Sequence, residues 1–226
     1  DVVHLTSGNI FFKKTAEKTL IQLQEAYQLP KTPYCTYVGD TNWNKNLLTL
    51  AHGIIKAKVH CVCAGNTFSL IQDLRNMDSE EQHEFLSTSP MLNHHEQIEF
   101  KEFIKLTLHD DHFIFPGYVP DEDLKTIYKH ALCNILISRD EGFGLSYLES
   151  ATQSCPSILS NISVFREIAK DAAYFVDPNS PNELSDTILL LLKKPKAYRV
   201  MKEKALKRSA HFSPTLFQER LLTVTQ

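Results

Sequence analysis

The stretch "NILISRDEGFGLSYLESATQSCPSIL", residues 134–159, decides the fold. Its first four residues form the short, mainly apolar run typical of a strand that is covered on both faces. A glycine-containing loop follows, and the sequence from Leu145 to about Gln153 predicts a helix. Ser157–Leu159 predicts the next strand. A strand, loop, helix and strand of this length indicate a βαβ crossover and therefore a parallel sheet.

The same alternation extends along most of the chain. Further strands are predicted at Tyr34–Val38, Val59–Ala64, His112–Phe115 and Ala173–Val176, and helices at Lys45–Lys56, after Gly117, and at Pro181–Lys193, Lys196–Lys207 and Pro214–Thr223. Segment 66–111 is long and polar, and its stretch "NMDSEEQHEFLSTSPMLNHHEQ", residues 76–97, predicts surface helix and loop inserted on this frame. The sequence thus predicts an α/β fold with a Rossmann-like, doubly wound parallel sheet over residues 31–195. Residues 1–30 would form a connector and leading helix, and residues 196–226 C-terminal helices.

Composition excludes several classes of protein. The 226 residues include 24 Lys or Arg and 27 Asp or Glu, a net charge of -3, which argues against nucleic-acid binding through a basic face. No apolar run approaches the roughly 18 residues of a membrane span.

The cysteines and histidines favour structural roles over metal binding. None of the five cysteines forms a CxxC pair, and Cys61 and Cys63 alternate as small hydrophobic residues on a predicted strand would. This usage indicates a reducing, cytoplasmic compartment. His94 and His95 lack the spaced carboxylates or cysteines of a metal site, which favours solvent-facing histidines.

Three loops are candidate ligand sites, because open parallel sheets bind ligands beyond the carboxyl ends of their strands. In "VGDTNWNKN", residues 38–46, Gly39 would let the backbone turn and approach a ligand closely. Lys45 stands at the predicted start of a helix, where an ammonium group and a helix N-terminus together favour an anion. The alternative is a solvent-exposed lysine.

The second loop is "PGYVPDEDL", residues 116–124. Asp121 is predicted as a helix N-cap, with Glu122 and Asp123 favourable in the first turn. Most of these residues are those expected of a turn and a helix start. The backbone groups of Tyr118 and Val119 would nevertheless face the carboxyl edge of the sheet.

The third loop is "EGFGL", residues 141–145. Gly142 and Gly144 leave backbone N–H groups available for a phosphate or for sugar hydroxyls. Leu145, Leu148 and Ala151 have the spacing of a buried helix face. Glu149 lies beside them.

The two carboxylates of this region are predicted to straddle a ligand. The two oxygens of Glu149 could accept both hydroxyls of a ribose diol. Glu141 lies on the far side of the glycine turn. The alternative is an exposed glutamate and a first-turn glutamate that interacts only with the helix dipole.

Several motifs in order resemble one known family. "EGFGLSYLESATQSCPSILSNISVFREIAKDAAYFVDP", residues 141–178, resembles the signature of glycosyltransferase family 4, which comprises retaining enzymes of GT-B fold. "YVGDTNWNKNLLTL" (37–50) and "FPGYVPDEDLKTIYKHA" (115–131) resemble two further segments of that family, and "AHFSPTLFQERLL" (210–222) resembles its terminal helix.

The resemblance implies roles for matched residues. Glu149 would bind the ribose of a nucleotide sugar, and Glu141 would contact the donor sugar near the reacting carbon. Lys45 would steady the diphosphate leaving group, which makes Glu141 and Lys45 the catalytic candidates. The backbone would contribute the remaining contacts, at Gly39, Tyr118, Val119, Gly142, Phe143, Gly144 and Leu145. No metal or other cofactor is expected, since positive charge and helix N-termini take that task.

The sequence also departs from the family pattern. Asp40 and Asn44 stand where an arginine is often found, so Lys45 would carry the diphosphate charge largely alone. Ser146 replaces a common proline and Ser154 a common glycine, and neither replacement removes a needed polar group.

The resemblance implies half of an enzyme. GT-B enzymes have two Rossmann-like domains, and "VVHLTSGN", residues 2–9, resembles the connector into the second. The chain would be the C-terminal, donor-binding half of a longer or two-chain enzyme, whose other half binds the acceptor and attaches peripherally to the membrane. That enzyme would move a hexose from a UDP-, GDP- or ADP-linked donor to a glycan, lipid or polysaccharide, as in cell-surface polysaccharide synthesis.

Two other functions compete with this interpretation. One is a non-catalytic nucleotide-sugar-binding or interaction module, which the missing arginine favours. The other is a glycosidase with two carboxylates, which leaves the lysine loop unexplained.

Overall fold

A computed structural model describes residues 5–13 and 17–224, so residues 1–4 and 14–16 of the predicted connector and leading helix and residues 225–226 of the C-terminal segment lie outside the described residues. The chain forms a six-stranded parallel sheet in the order β3-β2-β1-β4-β5-β6. The strands are β1 Tyr34–Val38, β2 His60–Ala64, β3 Phe113–Gly117, β4 Cys133–Leu136, β5 Ser157–Ser160 and β6 Tyr174–Val176. This order is that of the doubly wound Rossmann fold, which confirms the predicted fold class.

Helices cover both faces of the sheet. They are α1 Asn9–Phe12, α2 Leu20–Tyr27, α3 Leu47–Ala57, α4 Ser69–Arg75, α5 Ser79–Thr88, α6 Ile98–Thr107, α7 Asp121–His130, α8 Leu145–Thr152, α9 Ser163–Ala169, α10 Pro181–Lys193, α11 Pro195–Ser209 and α12 Pro214–Val224. The β-rich runs and helical periods of the sequence therefore predicted all six strands and the last three helices, with bounds that differ by one or two residues in most cases.

The sheet separates the buried apolar residues into layers. On one face, α3, α6 and α10 pack through residues such as Leu50, Phe103 and Ile188. On the other, α7 packs with the N-terminal helices through Ile127 and Leu23. A third cluster joins α8, α9 and α11.

Within the polar segment 66–111, residues 76–97 form the surface helix α5 and loops that the sequence predicts, whereas the helices on either side, α4 and α6, contribute to the core. Phe100, Phe103 and Ile104 on α6 are fully buried, and Ile71 on α4 is as well. Helix α6 fills the core beside α3 because these apolar residues recur at three- and four-residue intervals within a polar sequence. Only the outer side of the segment is polar.

The N-terminal segment packs on helix α7. Phe11 and Leu23 are buried there. The buried carboxylate of Asp123 accepts hydrogen bonds from Lys18 Nζ at 2.8 Å and from Tyr27 Oη at 2.7 Å. Burial and this hydrogen bond raise the pKa of Tyr27 to about 12. These contacts fix the segment against the helix that follows β3.

All five cysteines are buried free thiols. The Sγ atoms of Cys61 and Cys63 lie 3.7 Å apart, so the two share a face of β2 as predicted. His94 and His95 are both exposed, which confirms that they face solvent. Within residues 5–13 and 17–224, no group of three or more His, Cys, Asp or Glu is arranged to hold a metal ion. No helix of this part of the chain is long and apolar enough to cross a membrane.

Candidate functional site

The predicted loops meet at the carboxyl edge of the sheet, between β1 and β4. The strand order reverses at this point, because β1 leads toward β2 on one side and β4 toward β5 on the other. Such a switch point opens a crevice between the loops that leave the two strands. Here it brings residues 39–46 next to residues 138–149.

Lys45 is not the first residue of a helix, contrary to the sequence prediction. It ends a separate 3₁₀ turn, Trp43–Lys45, and α3 begins only at Leu47. Between them, Asn46 adopts a left-handed conformation with φ 56°. Its buried side-chain amide donates to the carbonyls of Ile137 and Pro178, at 3.0 and 2.6 Å. These two hydrogen bonds tie the turn to the end of β4 and explain why the helix is interrupted.

Lys45 and Glu141 form an ion pair, which the sequence did not predict. Lys45 Nζ lies 2.7 Å from Glu141 Oε1, and the two side chains are only 17% and 10% exposed. Ser138 Oγ donates to the same carboxylate oxygen at 2.7 Å. A semi-enclosed ion pair is screened less by solvent than a surface pair. The arrangement therefore holds an ammonium group and a carboxylate side by side at the cleft.

Arg139 joins the two loops and was missed by the sequence analysis. Its backbone N–H donates to Asn44 O at 2.7 Å, and its guanidinium donates to Trp43 O. The guanidinium also lies 2.8 Å from Glu99 on α6. Arg139 therefore braces the turn that carries Lys45 against the loop that carries Glu141. Its position just before the glycine loop was the only signal in the sequence.

Helix α8 begins at Leu145, as predicted, and its N-terminus lies at the cleft. Gly144 precedes it with φ 92°, and a Cβ atom there would come within 2.6 Å of the Phe165 ring. Only glycine fits such a position without strain. The first N–H groups of the helix have no partner inside it, so this end of α8 can donate to an anion.

The predicted buried face of α8 is wrong at its first residue. Leu148 and Ala151 are fully buried, whereas Leu145 is 44% exposed and lines the cleft. The helix starts at the edge of the sheet, so its first turn extends beyond the layer that covers the later residues. Leu145 thus offers an apolar surface to a ligand.

Glu149 lies in the same cleft with a perturbed carboxyl group. Burial raises the pKa of Glu149 from 4.5 to about 7, and the nearby Asp121 carboxylate adds to the increase. A hydrogen bond from Tyr128 Oη, at 3.3 Å, acts in the opposite direction. Burial raises the pKa of Tyr128, and the neighbouring Glu149 carboxylate adds to the increase. Glu149 is therefore a carboxyl group that titrates near neutral pH.

Asp121 does not cap α7 as the sequence predicted. Pro120 precedes the helix, and its carbonyl accepts from the N–H groups of Asp123 and Leu124 at 3.0 and 2.9 Å. Asp121 is the first helical residue, so its carboxylate is turned instead toward the cleft and Glu149. Tyr118 is 66% exposed and Val119 is buried, and both line the same region.

Two adjoining cavities form one cleft. The first, of about 550 Å³, is lined by Lys45, residues 141–146 and Glu149. The second, of about 430 Å³, is lined by residues 64–67, Tyr118, Val119 and Asp121. Val38, Gly39 and Glu149 border both. A further cavity of about 580 Å³ lies along the edge strand β3 and contains none of the predicted site residues.

Gly39 contributes room rather than an unusual backbone angle. It is absent from the residues with positive φ, and a Cβ atom there would lie 3.2 Å from the Tyr37 hydroxyl. Among the described residues that line the two cavities, Lys45 is the single cation, whereas Asp40, Asp121, Glu141 and Glu149 are acidic. Lys45 and the N-terminus of α8 are therefore the two groups among these residues that can attract an anion.

Residues 21–208 match the family of group 1 glycosyl transferases. The chain belongs to this family. A group 1 glycosyltransferase with this sheet order and a cleft at the switch point agrees with the GT-B type of fold that the sequence motifs implied.

The names of curated relatives of this group 1 glycosyltransferase indicate that those proteins act on sugars. O-antigen chain mannosyltransferase B of Escherichia coli is 35% identical over 97 residues, which are 43% of this chain and 26% of that protein. Mannosylfructose-phosphate synthase of Agrobacterium fabrum is 30% identical over 154 residues, 67% of this chain and 31% of that protein. The matched region therefore spans about a third or less of either relative.

Solved structures share the fold at low sequence identity. A glycosyltransferase from Rickettsia africae superposes with a TM-score of 0.74 at 19% identity, over 99% of this chain and 56% of that one. HepE of Anabaena, solved in complex with UDP-glucose, gives a TM-score of 0.68 at 13% identity, over 97% and 56%. This group 1 glycosyltransferase chain corresponds to about half of each of those proteins.

Proposed function

We propose that this chain binds the nucleotide-diphosphate sugar donor of a retaining hexosyltransferase and forms the donor half of its active site. The observation that carries the proposal is the shared cleft of the Lys45–Glu141 pair, the N-terminus of α8 and Glu149. One ammonium group and one helix N-terminus suit a diphosphate. Two carboxylates, which accept hydrogen bonds only, suit hydroxyl groups on either side of it.

Lys45 would neutralise the diphosphate as the bond to the sugar breaks. The ammonium group now bound to Glu141 would exchange that partner for a phosphate oxygen. No other cation lines the described cleft, so the N–H groups of Gly144, Leu145 and their neighbours would carry the rest of the charge. The proposal therefore assigns leaving-group stabilisation to Lys45 and α8, without a metal ion.

Glu141 would contact the sugar once Lys45 has turned to the phosphate. Ser138 donates to its carboxylate and would keep it oriented during that exchange. A carboxylate near the reacting carbon stabilises positive character on the sugar more than it stabilises the bound donor, which raises the rate more than the affinity.

Glu149 and the second cavity would hold the nucleoside. Glu149 lines both cavities, so a ribose at this border places the diphosphate toward Lys45 and the base toward Tyr118 and Val119. Backbone groups of these two residues would contact the base. In this arrangement the base, ribose, diphosphate and sugar of the donor would lie in that order along the cleft.

The relatives support the choice of a hexose and of a nucleotide donor. Those named above include a mannosyltransferase of O-antigen synthesis, and HepE was solved with UDP-glucose. Because the chain corresponds to about half of the solved proteins, we assign acceptor binding to another domain or a partner chain. The acceptor would be a glycan, lipid or polysaccharide, and the enzyme would work on the cytoplasmic side of the membrane.

Calorimetry with UDP-, GDP- and ADP-hexoses tests donor binding. We expect one of the three to bind the 226-residue chain, without robust transfer by this chain alone, and we expect EDTA to leave the affinity unchanged. Absence of binding by all three would overturn the proposal.

Turnover in the full-length protein separates an enzyme from a binding module. We expect Glu141→Ala to reduce turnover far more than donor affinity. Donor binding by a full-length protein that transfers no sugar to any acceptor would support the non-catalytic module instead.

A further inference from the structure

Helix α11 and the residues before it carry an unusual share of the positive charge. Residues 193–211 include eight Lys or Arg and one Glu, a net charge of +7. Because the whole chain has a net charge of -3, the remaining residues together carry -10. The charge is therefore strongly separated within one small domain.

Most of these cations are not used inside the fold. Lys204 pairs with Asp171, Arg208 donates to the carbonyls of Glu167 and Ile168, and Lys202 lies over the Tyr198 ring. The other five are exposed, and their charged groups have no partner among the described residues: Lys193, Lys194, Lys196, Arg199 and Lys207.

The free cations share one side of α11 with exposed apolar side chains. Lys196, Arg199, Val200, Leu206 and Lys207 recur at helical intervals, opposite the buried residues Met201, Ala205 and Ser209. Val200 is 51% exposed and Leu206 is 47% exposed. Glu203 is the one acid on this side. We call the surface formed by residues 193, 194, 196, 199, 200, 206 and 207 the α11 face.

The α11 face begins at the end of the domain opposite the cleft. Tyr198 Oη donates to Ala131 O, just before the first residue of β4. The cleft lies at the carboxyl ends of the strands, beyond the last residue of β4. A large surface could therefore approach Lys193–Arg199 without covering the donor site.

We propose that the α11 face docks on an anionic phospholipid surface. Basic residues attract such a surface within about a Debye length, and exposed apolar residues between them insert at the headgroup level. Charge complementarity selects an anionic partner. Val200 and Leu206 favour a lipid surface over a nucleic acid, because a nucleic acid would leave both exposed apolar side chains without an apolar partner. The donor half would then attach to the membrane itself.

Vesicle sedimentation tests the proposal with matched variants of the 226-residue chain. Wild type should bind vesicles of phosphatidylcholine with 30 mol% phosphatidylglycerol and should not bind pure phosphatidylcholine. Each basic residue at an anionic surface strengthens binding about fivefold, so Lys196→Glu with Arg199→Glu should weaken binding about 25-fold or more. Lys31→Glu with Lys101→Glu changes the net charge equally outside the α11 face and should retain binding. Thermal unfolding and nucleotide binding check that both variants fold.

A second variant separates the apolar contribution from the charge. Val200→Ser with Leu206→Ser should weaken binding to the anionic vesicles, and the binding that remains should be lost in 0.5 M salt. Absence of wild-type binding to the anionic vesicles, or equal losses in the two charge variants, would overturn the proposal. So would tighter binding of wild type to duplex DNA or RNA than to the vesicles, with the same dependence on Lys196 and Arg199.

Discussion

Glu149→Gln should stabilise the ligand-free chain above pH 7 while it weakens ribonucleotide binding. Burial raises the pKa of Glu149 from 4.5 to about 7 in the folded chain, and Asp121 adds to this effect. The folded chain therefore favours the neutral carboxyl group, and ionisation of Glu149 destabilises the fold. Glutamine is isosteric and neutral, and its carbonyl can still accept from Tyr128.

The pH dependence follows from the direction of the shift. A carboxyl group with a raised pKa binds its proton more tightly in the folded state, so its stabilising contribution is present below 4.5 and is lost as the pH rises through about 7. The shift from 4.5 to about 7 corresponds to about 3 kcal/mol in the free energy of unfolding. The variant should therefore exceed wild type by about 2–3 kcal/mol at pH 8 and should match it near pH 4.5.

Urea unfolding at pH 4.5, 6 and 8, followed by circular dichroism, measures this difference. The exposed Glu84, outside the first turn of α5, serves as a control, and Glu84→Gln should leave the stability difference near zero throughout. A Glu149→Gln chain that is equally or less stable than wild type at pH 8 would refute the reasoning about burial.

The binding measurement tests the assigned role of the same residue. Wild-type affinity for a ribonucleotide diphosphate should rise from pH 6 to pH 8, because only the ionised carboxylate accepts both ribose hydroxyls. At pH 8 the variant should bind about tenfold or more weakly, since hydrogen bonds to a charged group contribute roughly 1.5–3 kcal/mol. A 2′,3′-dideoxynucleotide should bind both proteins equally. A variant that still prefers the normal ribose as strongly as wild type would contradict the ribose assignment.

Three further substitutions test the neighbouring structure. Lys45→Ala should weaken binding of a nucleoside diphosphate about ten- to a hundredfold and should change binding of the nucleoside little. Equal losses of affinity for the two ligands, measured by calorimetry, would show that Lys45 is only a partner of Glu141. Arg139→Ala removes the guanidinium contacts with Trp43 and Glu99 and should lower diphosphate affinity about fivefold, at about 1 kcal/mol for a positioning contact, whereas unchanged affinity would show that the brace is dispensable. Ser154 follows α8 in a left-handed conformation with φ 56°, so Ser154→Gly should raise the free energy of unfolding by about 0.5–1 kcal/mol, and a lower urea midpoint would show that this conformation is not strained.

The sequence by itself determined the elements and the chemistry of the loops. The runs at Tyr34–Val38 and residues 134–137 predicted two strands of a parallel sheet, and the glycines before Leu145 predicted where α8 begins. These features depend on local preferences: apolar periodicity, backbone freedom at glycine and the start of a helix. The ordered motifs also predicted a glycosyltransferase fold, which the family match confirmed.

Tertiary structure decided which groups meet and what surrounds them. Lys45 and Glu141 are 96 positions apart, and they pair because Asn46 and Arg139 tie two loops together at the switch point. Burial of the polar-looking helix α6 depends on the gap it fills beside α3.

The sequence could not predict the raised pKa of Glu149 either. Its raised pKa depends on its burial and on an aspartate 28 positions away in the chain, Asp121. Periodicity records which side of an element is apolar, but distance and dielectric environment arise only when remote segments pack. The sequence therefore supplied the two carboxylates and the lysine of the cleft, and the fold determined their partners and their charge.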